Sequence, residues 1–336
     1  MPGLAAAYVV DGALVESAAV GFRKHGSREK VAPGDRWHIG SCTKSMTATL
    51  AAMLVEEGKL RWETTVAEAF PEVRDVKKTK WSAVTLEQLL AHRGGAPETP
   101  PPALWAAAAR QQGTVKQQRL AFVRGLFEKP PESEPGTRYA YSNGGYTIAG
   151  AMIERAAGRT WEELMRERLF LPLAMSASGF GPPGSAGRVD QPWGHEGKGK
   201  QLTPQRPGPG ADNPPAIGPA GTVHCSIEDF ARYAGWHAQE GRGGGKLLTA
   251  ETFARIHQAP AGQSYAFGWE TLKRGWAGGR THAGSNTLWL AVMWVAPEKN
   301  GAFVAATNMA GDEASQACND AVSLLVERWQ AKTKAQ

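Results

Sequence analysis

The sequence predicts an α+β fold: an antiparallel sheet built from both ends of the chain and flanked by helices, an α/β sandwich, with a mainly helical domain inserted between its halves. Three observations predict it. The chain opens on a hairpin, closes on a hairpin followed by a helix, and carries helical periodicity between them.

"LAAAYVV" (4–10) and "ALVESAAVGF" (13–22) flank Asp11-Gly12, a two-residue loop of the kind whose positive φ angles suit antiparallel strands. "RWHIG" (36–40) then reads as a strand that ends at Gly40, and Met46, Leu50, Met53 and Leu54 continue as a helix that stops at Gly58. "TLEQLLAH" (85–92), "ALWAAAARQQ" (103–112), "GGYTIAGAMIERAAG" (144–158) and "TWEELMRERLF" (160–170) all carry helical patterning. Thr160 with Glu163 forms a capping box, and Gly158 is placed to end the helix before it. From Gly179 to Gly221 the chain is rich in Pro and Gly with almost no periodicity, and so long a loop is usually functional or mobile. "TLWLAVMWVAP" (287–297) and "GAFVAATN" (301–308) flank "EKNG" as a second hairpin. A helix from about Asp312 to Lys332 follows, with Ala317, Val322, Leu325, Val326 and Trp329 near one face. The expected division is a sheet domain from residues 1–60 and 215–336 and a helical insertion over 61–214.

With 336 residues, 42% of them hydrophobic, the chain can bury a substantial core. Its 40 glycines and 22 prolines fit an enzyme with elaborate loops better than a coiled or solenoid protein. The net charge of +6 is spread along the chain, with "VKKTK" (76–80) the one short cluster, which reads as a solvated face and not as a nucleic-acid surface. Cys42, Cys225 and Cys318 are odd in number and far apart, so they imply neither a disulfide framework nor a zinc site. No apolar run of about 18 residues exists to span a membrane. The start enters strand-like sequence at once, without a basic or apolar leader; the protein is then either cytoplasmic or exported and seen without its leader. Oligomeric state is not written in these patterns.

Ser41 and Lys44 stand three apart at the start of the first helix. Residues i and i+3 share a helix face, so the amine reaches the hydroxyl, and the free amides of the first turn favour an alkoxide and an acyl oxyanion. A lysine base must be neutral. Lowering its pKa from about 10.4 to about 7 takes roughly 4.6 kcal/mol, of which a helix N-terminus supplies about 0.3–1. Burial has to supply the rest. Ser-x-x-Lys is weak alone: "SREK" (27–30) has the same spacing, and a serine at a helix start also reads as a cap. Cys42 points away from Lys44 and reads as a small buried apolar residue. Tyr141-Ser142-Asn143 is the chain's one Y-x-N; its phenol can relay a proton and its amide can hold a lysine and a carbonyl, although a core tyrosine with a turn asparagine fits the same letters. His282-Ala283-Gly284 opens the C-terminal strands, where Gly284 allows a close backbone approach by a substrate and the Ser285 amide faces a cleft. His195 and Glu196 lack a second ligand pair for a metal.

"GSCTKS", "YSN" and "HAG", in that order, resemble the three motifs of the serine β-lactamase and penicillin-binding-protein superfamily. "TLEQLLAH", "PGTRYAYSNGGY", "LFLPLAM" and "AFVAATN" are similar to framework segments of its class C branch, which includes D-alanyl-D-alanine carboxypeptidases, D-aminopeptidases and carboxylesterases. The resemblance covers nearly the whole chain. It implies Ser41 as the acylated nucleophile, Lys44 as its base and Tyr141 as the relay to the leaving group. Asn143 would position Lys44 and the substrate, His282 would stand where a lysine is more usual, and the amides of Ser41 and Ser285 would form the oxyanion hole. It implies no cofactor and no metal. Relatives usually act in the periplasm or outside the cell, which favours an exported protein.

A histidine is mostly neutral at pH 7, so His282 favours a small ester or a D-amino-acid amide or peptide over a β-lactam as substrate. Arg93 in "AHRGG" stands where family members carry a small polar residue; it either faces the cleft and favours acidic substrates or is a solvated helix end. Among Trp105, Trp193, Trp269, Trp276 and Trp289, one or two are expected in the cleft and the rest in the core. The leading reading is a metal-independent serine hydrolase. The alternatives are a non-catalytic relative that binds peptidoglycan or a partner protein, and a transacylase with the same residues and another acceptor.

Overall fold

The computed structural model describes residues 1–73, 76, 78–240, 247–274 and 276–334; Lys77 of the basic cluster lies outside them. The strands are β1 (Gly3–Val10), β2 (Ala13–Gly21), β3 (Arg36–His38), β4 (Gly179–Phe180), β5 (Gly194–Glu196), β6 (Thr203–Gln205), β7 (Val223–Ser226), β8 (Glu270–Arg274), β9 (Ala277–Ser285), β10 (Leu290–Ala296) and β11 (Gly301–Thr307). Six of them form one antiparallel sheet in the order β2-β1-β11-β10-β9-β8. Both predicted hairpins are present, and Asp11 and Gly12 turn the first with φ of 51° and 78°. β1 also pairs with β11, with Leu4 opposite Thr307 and Tyr8 opposite Phe303, so the two ends of the chain are neighbours in the middle of one sheet.

Two helices carry site residues, α1 (Thr43–Glu56) and α2 (Asn143–Ala157), and two pack on the sheet, α3 (Ile227–Ala238) and α4 (Asp312–Lys334). Alternation along β1 sorts its side chains. Ala6 and Tyr8 face α4, where Val292, Trp294 and Phe303 meet Cys318, Val322, Leu325 and Val326, while Ala5, Ala7 and Val9 face the main core. Gly235 lets α3 press against β1, since a Cβ there would sit 2.4 Å from Val9 Cγ2. On α4, Val322, Leu325 and Val326 are buried as expected and Trp329 packs on Phe303; Ala317 is only partly covered, its expected place being filled by Cys318.

The predicted helices form at Leu86–Leu90, Pro102–Ala109, Asn143–Ala157 and Trp161–Met165, the last running on as a π turn over Arg166–Phe170. The Thr160–Glu163 capping box is made, and Gly158 ends α2 with φ of 71°. A further helix, Val115–Phe127, escaped the pattern reading although Thr114 and Gln117 cap it in the same way. Its Arg119 is fully buried and pairs with Glu154 and Glu162. Segment 179–221 is also more regular than its composition implies. β4 pairs with β7, β5 pairs with β6, and short 3-10 turns punctuate the rest. Its order comes from distant partners, which no local periodicity reports: Trp193 N–H donates to the Arg23 carbonyl, and the His195 ring bonds the Asn308 carbonyl (2.7 Å) and accepts from His25 N–H (2.9 Å). His195 is thus a staple between the chain's two ends. Among the described residues no helix is long and apolar enough to cross a membrane.

Candidate active site

β3 ends at His38, and the chain turns through Gly40–Cys42 before α1 begins at Thr43. Gly40 has φ of 50°, and a Cβ there would lie 2.3 Å from the Ser285 nitrogen. A Cβ on Gly284 would lie 2.0 Å from the Ile39 carbonyl and 2.7 Å from the Ser41 nitrogen. Two backbones therefore cross in contact, which only paired glycines permit. The close approach that Gly284 allows here is that of the Ser41 turn. One result is that the Ser41 and Ser285 amides share one corner. Gly221 closes that corner from a third side, where a Cβ would be 3.6 Å from the Ser41 nitrogen.

Lys44, the second residue of α1, is fully buried. Its Nζ lies 3.0 Å from Ser41 Oγ, 2.8 Å from Asn143 Oδ1 and 2.7 Å from the Ala220 carbonyl, over the rings of Tyr141 at 4.7 Å and Tyr146 at 5.6 Å. Burial lowers its pKa from 10.5 to about 7. Tyr141 moves the other way: burial raises its phenol well above the ordinary value, and a hydrogen bond with Ser41 only partly offsets this. It is therefore a hydroxyl donor, not a phenolate, at neutral pH. Asn143 opens α2, held by Ser142, whose Oγ accepts from Gly145 N–H and donates to the Pro97 carbonyl.

The mould for that loop is "AHRGG". His92 is buried with φ of 56°, an uncommon conformation for a residue with a side chain. Its carbonyl accepts from Ala140 N–H, its Nδ1 accepts from Ser142 N–H at 3.0 Å, and its ring lies 4.3 Å from that of Tyr141. Of the chain's six tyrosines, Tyr139, Tyr141, Tyr146 and Tyr265 surround His92. Arg93 is neither cleft residue nor free helix end. Its guanidinium bonds the carbonyls of Gly136 and Thr137 and so clamps the approach to Tyr141.

His282 lies on β9 with its Nε2 3.0 Å from the Tyr265 hydroxyl and its Nδ1 2.6 Å from the Ala283 carbonyl. Burial, reinforced by Lys44, lowers its pKa to about 3, so it is neutral and both nitrogens are engaged within the protein. The imidazole meets the site with its ring, 6.5 Å from that of Tyr141. Cys42 is buried with its thiol pushed up by desolvation. The five tryptophans are taken up by packing and not by the cleft. Trp269 stacks on Tyr233, Trp289 meets Trp37 edge-on, Trp276 packs on Phe303, Trp193 lies under Lys24, and Trp105 rests on the main core. Beyond Gly221 a cavity of about 450 Å³ is lined by Phe180, Pro209, Asp212, Asn213 and Thr222, with Arg166.

Sequence reasoning missed His92, Tyr265, Tyr146 and the Ala220 carbonyl. A carbonyl leaves no signal in side-chain letters, and Tyr265 sits in a loop without a pattern. His92 stands in "AHRGG" beside Arg93, whose charge is the more conspicuous signal in that segment.

A six-stranded antiparallel sheet split by a helical segment, with Ser-x-x-Lys at a helix start beneath a Tyr-x-Asn loop, defines the β-lactamase and penicillin-binding class of fold and site. The chain belongs to the beta-lactamase family, whose model matches residues 1–327. Penicillin-binding protein 4 of Amycolatopsis lactamdurans is 30% identical over 282 residues, 83% of this chain and 70% of that protein. Unguisins hydrolase ungD of Aspergillus violaceofuscus is 28% identical over 249 residues, 69% of this chain; the chain spans only 41% of that longer protein. Among solved structures, the octameric penicillin-binding protein homologue from Pyrococcus abyssi matches with a TM-score of 0.78 at 24% identity, over 97% of this chain and 74% of that one. D-amino acid amidase from Ochrobactrum anthropi SV3, complexed with L-phenylalanine, matches at 0.77 and 19% identity over 99% and 94%. At these identities the two structures establish the shared fold.

Proposed function

We propose that the protein is a serine hydrolase that forms an acyl-enzyme on Ser41 and hydrolyses small carboxylic esters or D-amino-acid amides, with penicillins as poorer substrates. The observation that carries this reading is Lys44: an amine in contact with the Ser41 hydroxyl, fully buried, with its pKa near 7. A neutral amine donates two hydrogens and accepts one, which matches Asn143, Ala220 and the Ser41 hydroxyl. Ser41 Oγ attacks the substrate carbonyl and its proton passes to Lys44, while the new oxyanion turns to the Ser41 and Ser285 amides. As the tetrahedral adduct collapses, the C–O or C–N bond breaks and Tyr141 hands the leaving group a proton, replaced from Lys44. Water then attacks the acyl ester, loses a proton along the same route, and the acid departs with Ser41 restored. A neutral His282 supplies no charge for the carboxylate of a penicillin, which supports the preference for esters and amides. The names of the amidase and the hydrolase among its relatives lie in the same direction.

Intact-mass spectrometry after exposure to a fluorophosphonate, and separately to a penicillin, tests this. The expected outcome is a phosphonyl adduct that is lost in Ser41→Ala, with little or no penicilloyl adduct. No adduct from either reagent on the folded protein rejects the enzyme reading.

A further inference from the structure

Three residues outside the acylation machinery join its walls. His38 is fully buried at the end of β3; its Nδ1 accepts from Gly40 N–H at 3.1 Å, so Nε2 carries the hydrogen and donates to Asp212 Oδ2 at 2.9 Å. The other oxygen of Asp212 accepts from Asn286 Nδ2 at 2.9 Å and from its neighbour Asn213 N–H at 2.7 Å. Asn286 follows Ser285, and its own Oδ1 accepts from Leu288 N–H. The turn it shapes is strained: Thr287 has φ of 74°, with its N–H donated to Ser285 Oγ. A β-branched residue in that region costs on the order of 1–3 kcal/mol and persists only where its surroundings fix it. A single carboxylate, with only 4% of its side chain exposed, thus holds the Gly40–Ser41 turn through His38 and the Ser285 turn through Asn286.

We propose that Asp212 is a positioning residue that sets the spacing of the Ser41 and Ser285 amides, an inference that rests on the acyl-enzyme reading above. The two backbones touch at Gly40 and Gly284 and share one weak thiol bond, from Cys42 Sγ to the His282 carbonyl at 3.4 Å; the Asp212 bridge supplies the stronger directional bonds. Its donor and acceptor pattern makes the claim testable. In Asp212→Asn, whichever way the amide faces, an N–H confronts a donor, either His38 Nε2 or Asn286 Nδ2. In Asn286→Asp, two carboxylates face each other. Combining the two changes restores a donor opposite an acceptor between positions 212 and 286 and leaves an oxygen for Leu288 N–H; only Asn213 N–H loses its acceptor.

The measurement is the pre-steady-state acylation rate with p-nitrophenyl butyrate, with steady-state KM and thermal midpoint recorded for each variant. Each single change is expected to slow acylation by about 10- to 100-fold, the scale of a displacement near 1 Å at a reacting centre, with KM little altered. The double change is expected to regain most of the loss. Folded single variants that acylate at the parental rate overturn the proposal, as does a double variant no faster than the slower single one. Should Asp212→Asn not fold, Asn286→Ala leaves the Asp212–His38 pair intact and frees only the Ser285 turn, and a parental rate in it is equally fatal. Absence of any Ser41 adduct in the parent protein rejects the hydrolase reading itself, and this proposal with it.

Discussion

Lys44 finds one partner for each bonding direction of a neutral amine, and burial is what keeps it neutral. The sequence supplied its spacing to Ser41 and the requirement for a dry site; the Ala220 carbonyl that completes its shell comes from a distant segment and was not legible. With a folded pKa of about 7, the amine loses its proton as pH rises through 7, so the acylation rate should climb across that value and level off above it. Stability follows the same group. Between about 7 and 10.5 the unfolded chain holds a proton that the folded chain does not, so the free energy of unfolding should rise with pH over that window. Urea titrations at pH 7 to 9.5 should show the rise, and Lys44→Met should flatten it while abolishing acylation. A Lys44→Met protein with an unchanged slope would show that the amine is not held neutral.

At the next scale, short elements place the chemistry. The mould "AHRGG" shapes the loop that carries Tyr141 and Asn143, with His92 beneath it and Arg93 across its entrance. Hydrogen bonds from a charged donor are worth about 1.5–3 kcal/mol, so Arg93→Ala should lower stability by about that amount in urea denaturation and slow acylation as the loop loosens. Arg93→Lys should recover only part, because one ammonium cannot fork as a guanidinium does. Gly284→Ala should be harsher. Its methyl would meet the Ile39 carbonyl at 2.0 Å, backbone against backbone, and a loss of about 3 kcal/mol or more is expected; wild-type stability in that variant would mean that the crossing is looser than described. Elements with an internal signal were legible: the Asp11-Gly12 hairpin, the Thr160 cap, the Gly158 stop. The helix at Val115–Phe127 was missed because its buried face includes Arg119, a charge that breaks the apolar pattern yet is neutralised by two glutamates far along the chain.

For the whole molecule, sheet-forming sequence at both ends around a helical middle was enough to infer a split sheet. It was not enough to order segment 179–221, whose bonds run to residues such as Arg23, His25 and Asn308, or to reveal that Asp212 in that segment touches both sides of the nucleophile corner. That split sheet also bears on how the protein is made. Gly3 N–H bonds Asn308 Oδ1 across 305 residues, and β1 is flanked on one side by β11, which is synthesised only after the whole helical middle. At roughly 5–20 residues per second on the ribosome, the opening hairpin waits about 15–60 s for its partner, and a two-stranded hairpin is marginal alone. Throughout that interval the nascent chain offers an unpaired strand edge to chaperones or to neighbouring nascent chains, while the helical middle can already condense. The protein's exposure to aggregation is thus set during translation, by the distance in sequence between the first strand and the last.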